Sequence, residues 1–147
     1  MCYSAESSIN NYALGTLLSL GLYTLGNDYD KHFAFFIFVV IQMQLAEYFM
    51  WKDQKCGAMN KIATIAANII LVLQAFSVLF GGYLFNTLNL SNSLILNISV
   101  PYLLIGLLIT FYRYYNEKSK ICTKAPNGYL VWFFYNNKFF KGVLNKL

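Results

Sequence analysis

Glu47 is the residue with the clearest chemical potential in this chain, because it stands where a carboxylate is costly. It lies in the stretch VVIQMQLAEYFMW, which is otherwise soluble in lipid. Gln44, Glu47 and Trp51 follow one another at i, i+3 and i+7, so on a helix all three project from one face, with Tyr48 at its border. If the apolar stretch is centred near Gln42, Glu47 lies five residues from the centre, or about 7–8 Å at 1.5 Å per residue. A charged group at the bilayer midplane costs about 2.5–3.5 kcal/mol on insertion scales, and less at this depth. The cost is bearable if the face turns toward other helices. Two roles then stand side by side. One is a proton relay or ion site, the default hypothesis for an intramembrane acid. The other is a hydrogen-bonded tie to Lys61, Arg113 or Asn68, worth about 0.6 kcal/mol and serving to specify packing.

The thiols are the second chemical resource. Cys2, Cys56 and Cys122 are far apart in sequence, yet the topology derived below puts all three on one side, the reducing one. A structural disulfide is therefore not expected there. Three thiols could hold a soft metal or form a redox pair. Against this, no two share a CxxC spacing, and the lone His32 falls at the opposite side. The plainer expectation is of reduced, small interface residues. Removal of Met1 would expose Cys2 as an N-terminal nucleophile, but no substrate pocket is marked for it. With one histidine there can be no Ser-His-Asp set beyond it, and the phosphate-loop, dinucleotide and HExxH patterns are absent. No cofactor is expected, and no metal is assigned.

The elements that must position these residues follow from composition. The 147 residues are 58% hydrophobic and 12% charged, half the charge of a typical soluble domain at about 25%. The pattern is that of an all-α integral membrane protein, with the lipid bilayer as its main partner and a homo-oligomer as an open one. The net charge of +5 falls between and after apolar stretches, so it reads as topological charge, not as a nucleic-acid surface. Four stretches approach the roughly 20 residues of a span: about 9–26, 33–51, 62–85 and 94–112. Short connections make consecutive helices antiparallel neighbours, giving a four-helix transmembrane domain over 1–115. Ten of the eleven lysines and arginines then share one side with both termini, and only Lys31 lies opposite. By the positive-inside rule both termini are cytoplasmic. The tail, 116–147, is basic and aromatic and suits an amphipathic segment in the headgroup layer, with re-entry of 129–144 as the lesser alternative.

Finer signals agree with a bundle. Gly15 and Ser19, and Ala63 and Ala67, have small-xxx-small spacing that lets helix backbones approach. Pro101 cannot donate to the carbonyl of Asn97, which predicts a bend in the fourth span. Inside the spans the polar residues are few, and Asn68 and Gln74 point in well-separated directions, so a single protomer offers no wide polar path.

Two stretches, MCYSAESS at the start and QLAEYFMW at the end of the second span, carry a resemblance. The chain resembles a functionally uncharacterised family of multi-pass membrane proteins from bacteria and large DNA viruses that open Met-Cys-Phe-Ser-Ala-x-x-Ser. The matched positions are Cys2, Ser4, Ala5, Ser8, Gln44, Glu47 and Trp51, mainly within residues 1–55. CTKAPNGYLVW is similar to a later segment of that family, with Tyr129 at a position where a histidine is expected. The resemblance implies that Cys2 and Glu47 matter together, and that longer relatives carry further spans. It implies no reaction. The functional expectation is a non-enzymatic structural or accessory component or a small transport unit. The competing class is a membrane enzyme or sensor using Cys2, Cys56, Cys122 and Glu47.

Overall fold

The computed structural model describes residues 4–116, 121–126 and 128–131. The described residues form four helices: α1 (Ala5–Leu25), α2 (Asp28–Lys52), α3 (Ala58–Leu84) and α4 (Asn92–Asn116). Among the described residues there is no strand, only an isolated antiparallel bridge between Lys124 and Val131. Three of the helices, α2, α3 and α4, are long and apolar enough to cross a membrane. α1 has 21 residues but is not among them, because Ser7, Ser8, Asn10 and Asn11 dilute its first half. The expectation of an interfacial tail falls mostly on residues 132–147, outside the described residues.

The helix boundaries have local causes. Ser4 caps α1, its hydroxyl accepting from the Ser7 amide at 3.1 Å. α2 opens with a reciprocal capping box: Asn27 accepts from the Tyr29 and Asp30 amides, and the Asp30 carboxylate accepts from the Asn27 amide. Each cap satisfies amides that a helix start leaves unpaired.

Small residues set the contact between α1 and α2. A side chain at Gly15 would begin 2.5 Å from Ile41, and the Ser19 hydroxyl donates to the Ala34 carbonyl at 2.8 Å. Gly106 of α4 likewise leaves room for Val72 of α3. At the end of the fold opposite the cysteines, His32 bridges α2 to α3. Its Nε2 donates to the Val78 carbonyl at 2.9 Å, and its Nδ1 lies 2.6 Å from the Thr87 hydroxyl. A carbonyl can only accept, so Nε2 carries the proton and, in the neutral ring, Nδ1 accepts from Thr87. Gly81 makes room for the imidazole, since a Cβ there would sit 2.5 Å from Cδ2.

The packed interior is thin. Its main cluster joins Met43, Ala46 and Met50 of α2 to Ala63 and Ala67 of α3, with Leu130 inserted from the segment after α4. Most other large apolar side chains point outward, including Leu17, Ile62 and Leu108. In water such a surface would be an aggregation hazard. Against hydrocarbon it is the expected exterior.

Candidate functional site: the polar knot at the basic end

α2 ends and α3 begins around Asp53, and this junction organises the charged end of the fold. The Asp53 carboxylate accepts from the Gly57 amide at 3.0 Å and the Asn60 amide at 3.1 Å. It thereby caps α3, whose own N-cap, Gly57, has no side chain to do so. These backbone donors, Gly57 first and then Asn60, hold the Asp53 carboxyl below its ordinary range against the opposing effect of burial; the Lys55 amide and the Lys61 charge add to the lowering.

One turn into α3, Asn60 is fully buried, and its amide reaches two separate parts of the chain. Nδ2 donates to the carbonyls of Thr123 at 2.8 Å and Asp53 at 2.9 Å, with a longer contact to Met50 at 3.3 Å. Oδ1 accepts from the Thr123 amide at 2.9 Å. The two bonds to Thr123 form a closed pair, as two strand residues would, and they fix which way the amide points. Thr64, four residues on, brings its hydroxyl within 2.9 Å of the Thr123 hydroxyl. Gln54 adds a parallel tie, donating to the Met50 carbonyl at 2.7 Å and accepting from the Ala125 amide at 2.8 Å. The segment after α4 is thus stitched to α3 and to the turn that precedes it.

A disulfide completes the stitching. Cys56 and Cys122 are joined, with Cα atoms 5.5 Å apart, inside the range a disulfide requires. This corrects the expectation of three reduced, non-bonded thiols. That expectation rested on the redox state of a compartment, whereas the pairing follows from chain geometry: Thr123 docks on Asn60, so its neighbour Cys122 arrives at the turn that holds Cys56. Cys56 occupies the left-handed region at φ 63°, unusual for a non-glycine residue. Cys2 lies outside the described residues, so a cluster of all three is not described. Beyond the disulfide, Lys124 and Val131 pair across a turn at Pro126 and Gly128, the Val131 amide donating to the Lys124 carbonyl at 2.7 Å. That hairpin carries Leu130 into the cluster of Met50 and Ala63, while Lys124, Pro126, Gly128 and Tyr129 stay exposed.

Glu47 lies beneath the knot, 2% exposed, one turn from Met50. Gln44 is half-buried, and Trp51 packs against the Met43–Leu130 cluster. Gln44, Glu47 and Trp51 all have interaction partners. Of the sequence-derived candidates, then, the three helix-face residues share the inner side of α2, and two of the three cysteines are bonded to each other. Sequence reasoning missed Asn60, Thr64, Gln54 and Thr123. A signal was available: Asn60 and Thr64 stand at i, i+4 at the start of an otherwise apolar helix, a spacing that puts two polar groups on one face. Among the described residues two buried side-chain atoms have no hydrogen-bond partner: Ser99 Oγ, and Oδ1 of Asn68, whose Nδ2 donates to the Thr64 carbonyl at 2.7 Å.

Chemically the knot is saturated. Its donors and acceptors answer one another, and among the described residues no group of three His, Cys, Asp or Glu side chains could hold a metal. The disulfide is its one redox-active bond. No protein family, curated protein or solved structure matches the chain.

Proposed function

We propose that the chain is a multi-pass integral membrane protein that acts as a non-enzymatic structural or accessory component, with its basic end and both termini on the cytoplasmic side. One observation carries this reading. The buried polar side chains at the basic end are spent on one another, Asn60 alone answering groups from Met50, Asp53, Thr64 and Thr123. A catalytic or transport site keeps polar groups open to a substrate; here they join three segments of chain. α1 would complete a four-helix bundle by lying against α2, its less apolar face turned inward at Ser8, Gly15 and Ser19. The resemblance to the Met-Cys-Phe-Ser-Ala membrane family fits this reading and adds no reaction to it.

Glu47 tests the proposal against its nearest rival, a small transport unit. Reconstituted into vesicles loaded with a pH-sensitive dye, the protein should give no proton flux above protein-free vesicles. Glu47→Gln should leave assembly and melting nearly unchanged, because glutamine keeps the size and the hydrogen-bonding capacity. A flux that Glu47→Gln abolishes, with folding intact, would replace the accessory role by proton transfer.

A second reading, a thiol sensor, is favoured by the Cys56–Cys122 bond on the side that lysine and arginine assign to the cytoplasm. A cellular monothiol of the glutathione class would attack one sulfur, forming a mixed disulfide and releasing the other thiolate. A second monothiol would then resolve it, leaving two cysteine thiols and one oxidised monothiol pair. Loosening of the 121–131 segment would be the readout.

A further inference from the structure

On the flank of the α2–α3 pair away from the knot runs an apolar groove of about 670 Å³. Its α2 wall is Gln42, Leu45, Ala46 and Phe49; its α3 wall runs from Met59 through Ile62 and Ala66 to Ile70. Gln42, the one polar side chain among the described lining residues, turns its amide to the Phe38 carbonyl at 3.0 Å. Along α3 the groove covers eleven residue steps, about 16 Å at 1.5 Å per residue. That is close to half of a ~30 Å hydrocarbon core, the depth of one leaflet. Its outer end lies at the second residue of α3, at the α2–α3 junction, where Lys52 ends α2, Lys55 lies in the turn and Lys61 is in the first turn of α3. Asp53, ionised and held by the Gly57 and Asn60 amides, is the one acid of this stretch against three lysines, so the junction is net positive. Lys52 follows Phe49 by three residues, and its ammonium is steadied over the Tyr48 ring at 5.6 Å.

We propose that this groove is a lipid site holding one acyl chain of an anionic phospholipid, with the headgroup phosphate on Lys52 and Lys55. Length, apolarity and the sign of charge at the mouth each fit that ligand, and basic pockets at the cytoplasmic ends of helices are where anionic headgroups bind. The inference rests on the membrane reading, which is checked separately: the chain must leave the membrane fraction with detergent and not with alkaline carbonate.

The test uses the full chain in mild detergent, stripped of lipid. It is offered equal amounts of phosphatidylglycerol and phosphatidylcholine with identical chains, then weighed intact by native mass spectrometry. One phosphatidylglycerol should remain bound, favoured about fivefold per lysine. Lys52→Gln with Lys55→Gln should bring the two lipids toward equality. Ala66→Phe, which fills the groove, should cut retention of both by about tenfold, the equivalent of about 1.4 kcal/mol. Ile62→Trp narrows the same groove from the α3 wall and serves if the first variant folds poorly. Equal retention by wild type and a folded groove-filling variant would overturn the site, as would a lipid-free wild-type dimer together with an Ile62→Cys variant that cross-links to its own copy.

Discussion

At the scale of single residues, Asn60 does what no other side chain type could do at that position. It must donate to the Thr123 carbonyl and accept from the Thr123 amide at once. Asn60→Asp keeps the size and loses the donor, while Asn60→Ala loses both and strands buried backbone groups at about 1–3 kcal/mol each. We expect both variants to melt well below wild type in detergent, and Asn60→Gln to rescue neither register nor stability. A melting point for Asn60→Ala equal to wild type would mean the knot is ornamental. Asp53 gives the knot a pH dependence. Its folded pKa lies below the ordinary 3.8, so its ionised form stabilises the fold at pH above that value. The contribution fades as pH falls through the lowered value. The melting temperature of wild type should therefore drop more steeply than that of Asp53→Asn as pH falls below the ordinary 3.8, where the carboxylate takes up its proton.

At the scale of elements, much was legible. The apolar runs gave α2, α3 and α4 to within a few residues, because a bilayer demands long runs and the loops between them are polar. The first stretch, 9–26, is the weakest of the four in the sequence because of Asn10, Asn11 and three glycines, and α1 is not among the helices apolar enough to span; its small residues serve contact with α2. Two glycines of α1 separate these roles. A Cβ at Gly15 would meet Ile41, whereas nothing lies within 4 Å of one at Gly21. Gly15→Leu should thus destabilise the protein by about 1–3 kcal/mol through overpacking. Gly21→Ala should stabilise the helix by about 0.5–1 kcal/mol, by removing glycine's excess unfolded-state entropy. Chemical denaturation in mixed micelles would measure both, and equal effects of one sign would refute the α1–α2 docking. The His32 bridge to Val78 and Thr87 was not legible, since the partners are 46 and 55 residues away and neither leaves a periodic trace.

At the scale of the whole molecule, the hidden part is the return of the chain after α4. Thr123 meets Asn60 across 63 residues, and Cys122 meets Cys56 across 66. Spacing patterns report contacts within one helix, and no such pattern spans this distance. Compartment logic then pointed the wrong way for the thiols, because it weighs where a bond survives and says nothing of which sulfurs are brought together. Closing so long a loop restricts the unfolded chain strongly, by about 4 kcal/mol in the entropic account. The disulfide and the knot are therefore one clamp, holding the α2–α3 turn and the 121–131 segment as a unit at the basic end. The most direct test is to trap cells in acid, alkylate under denaturing conditions, and map the cysteine peptides before and after reduction. The clamp predicts a Cys56–Cys122 linked peptide, with both sulfurs alkylated only after reduction. Free alkylation of Cys56 and Cys122 without reductant, in protein that is folded and inserted, would contradict it.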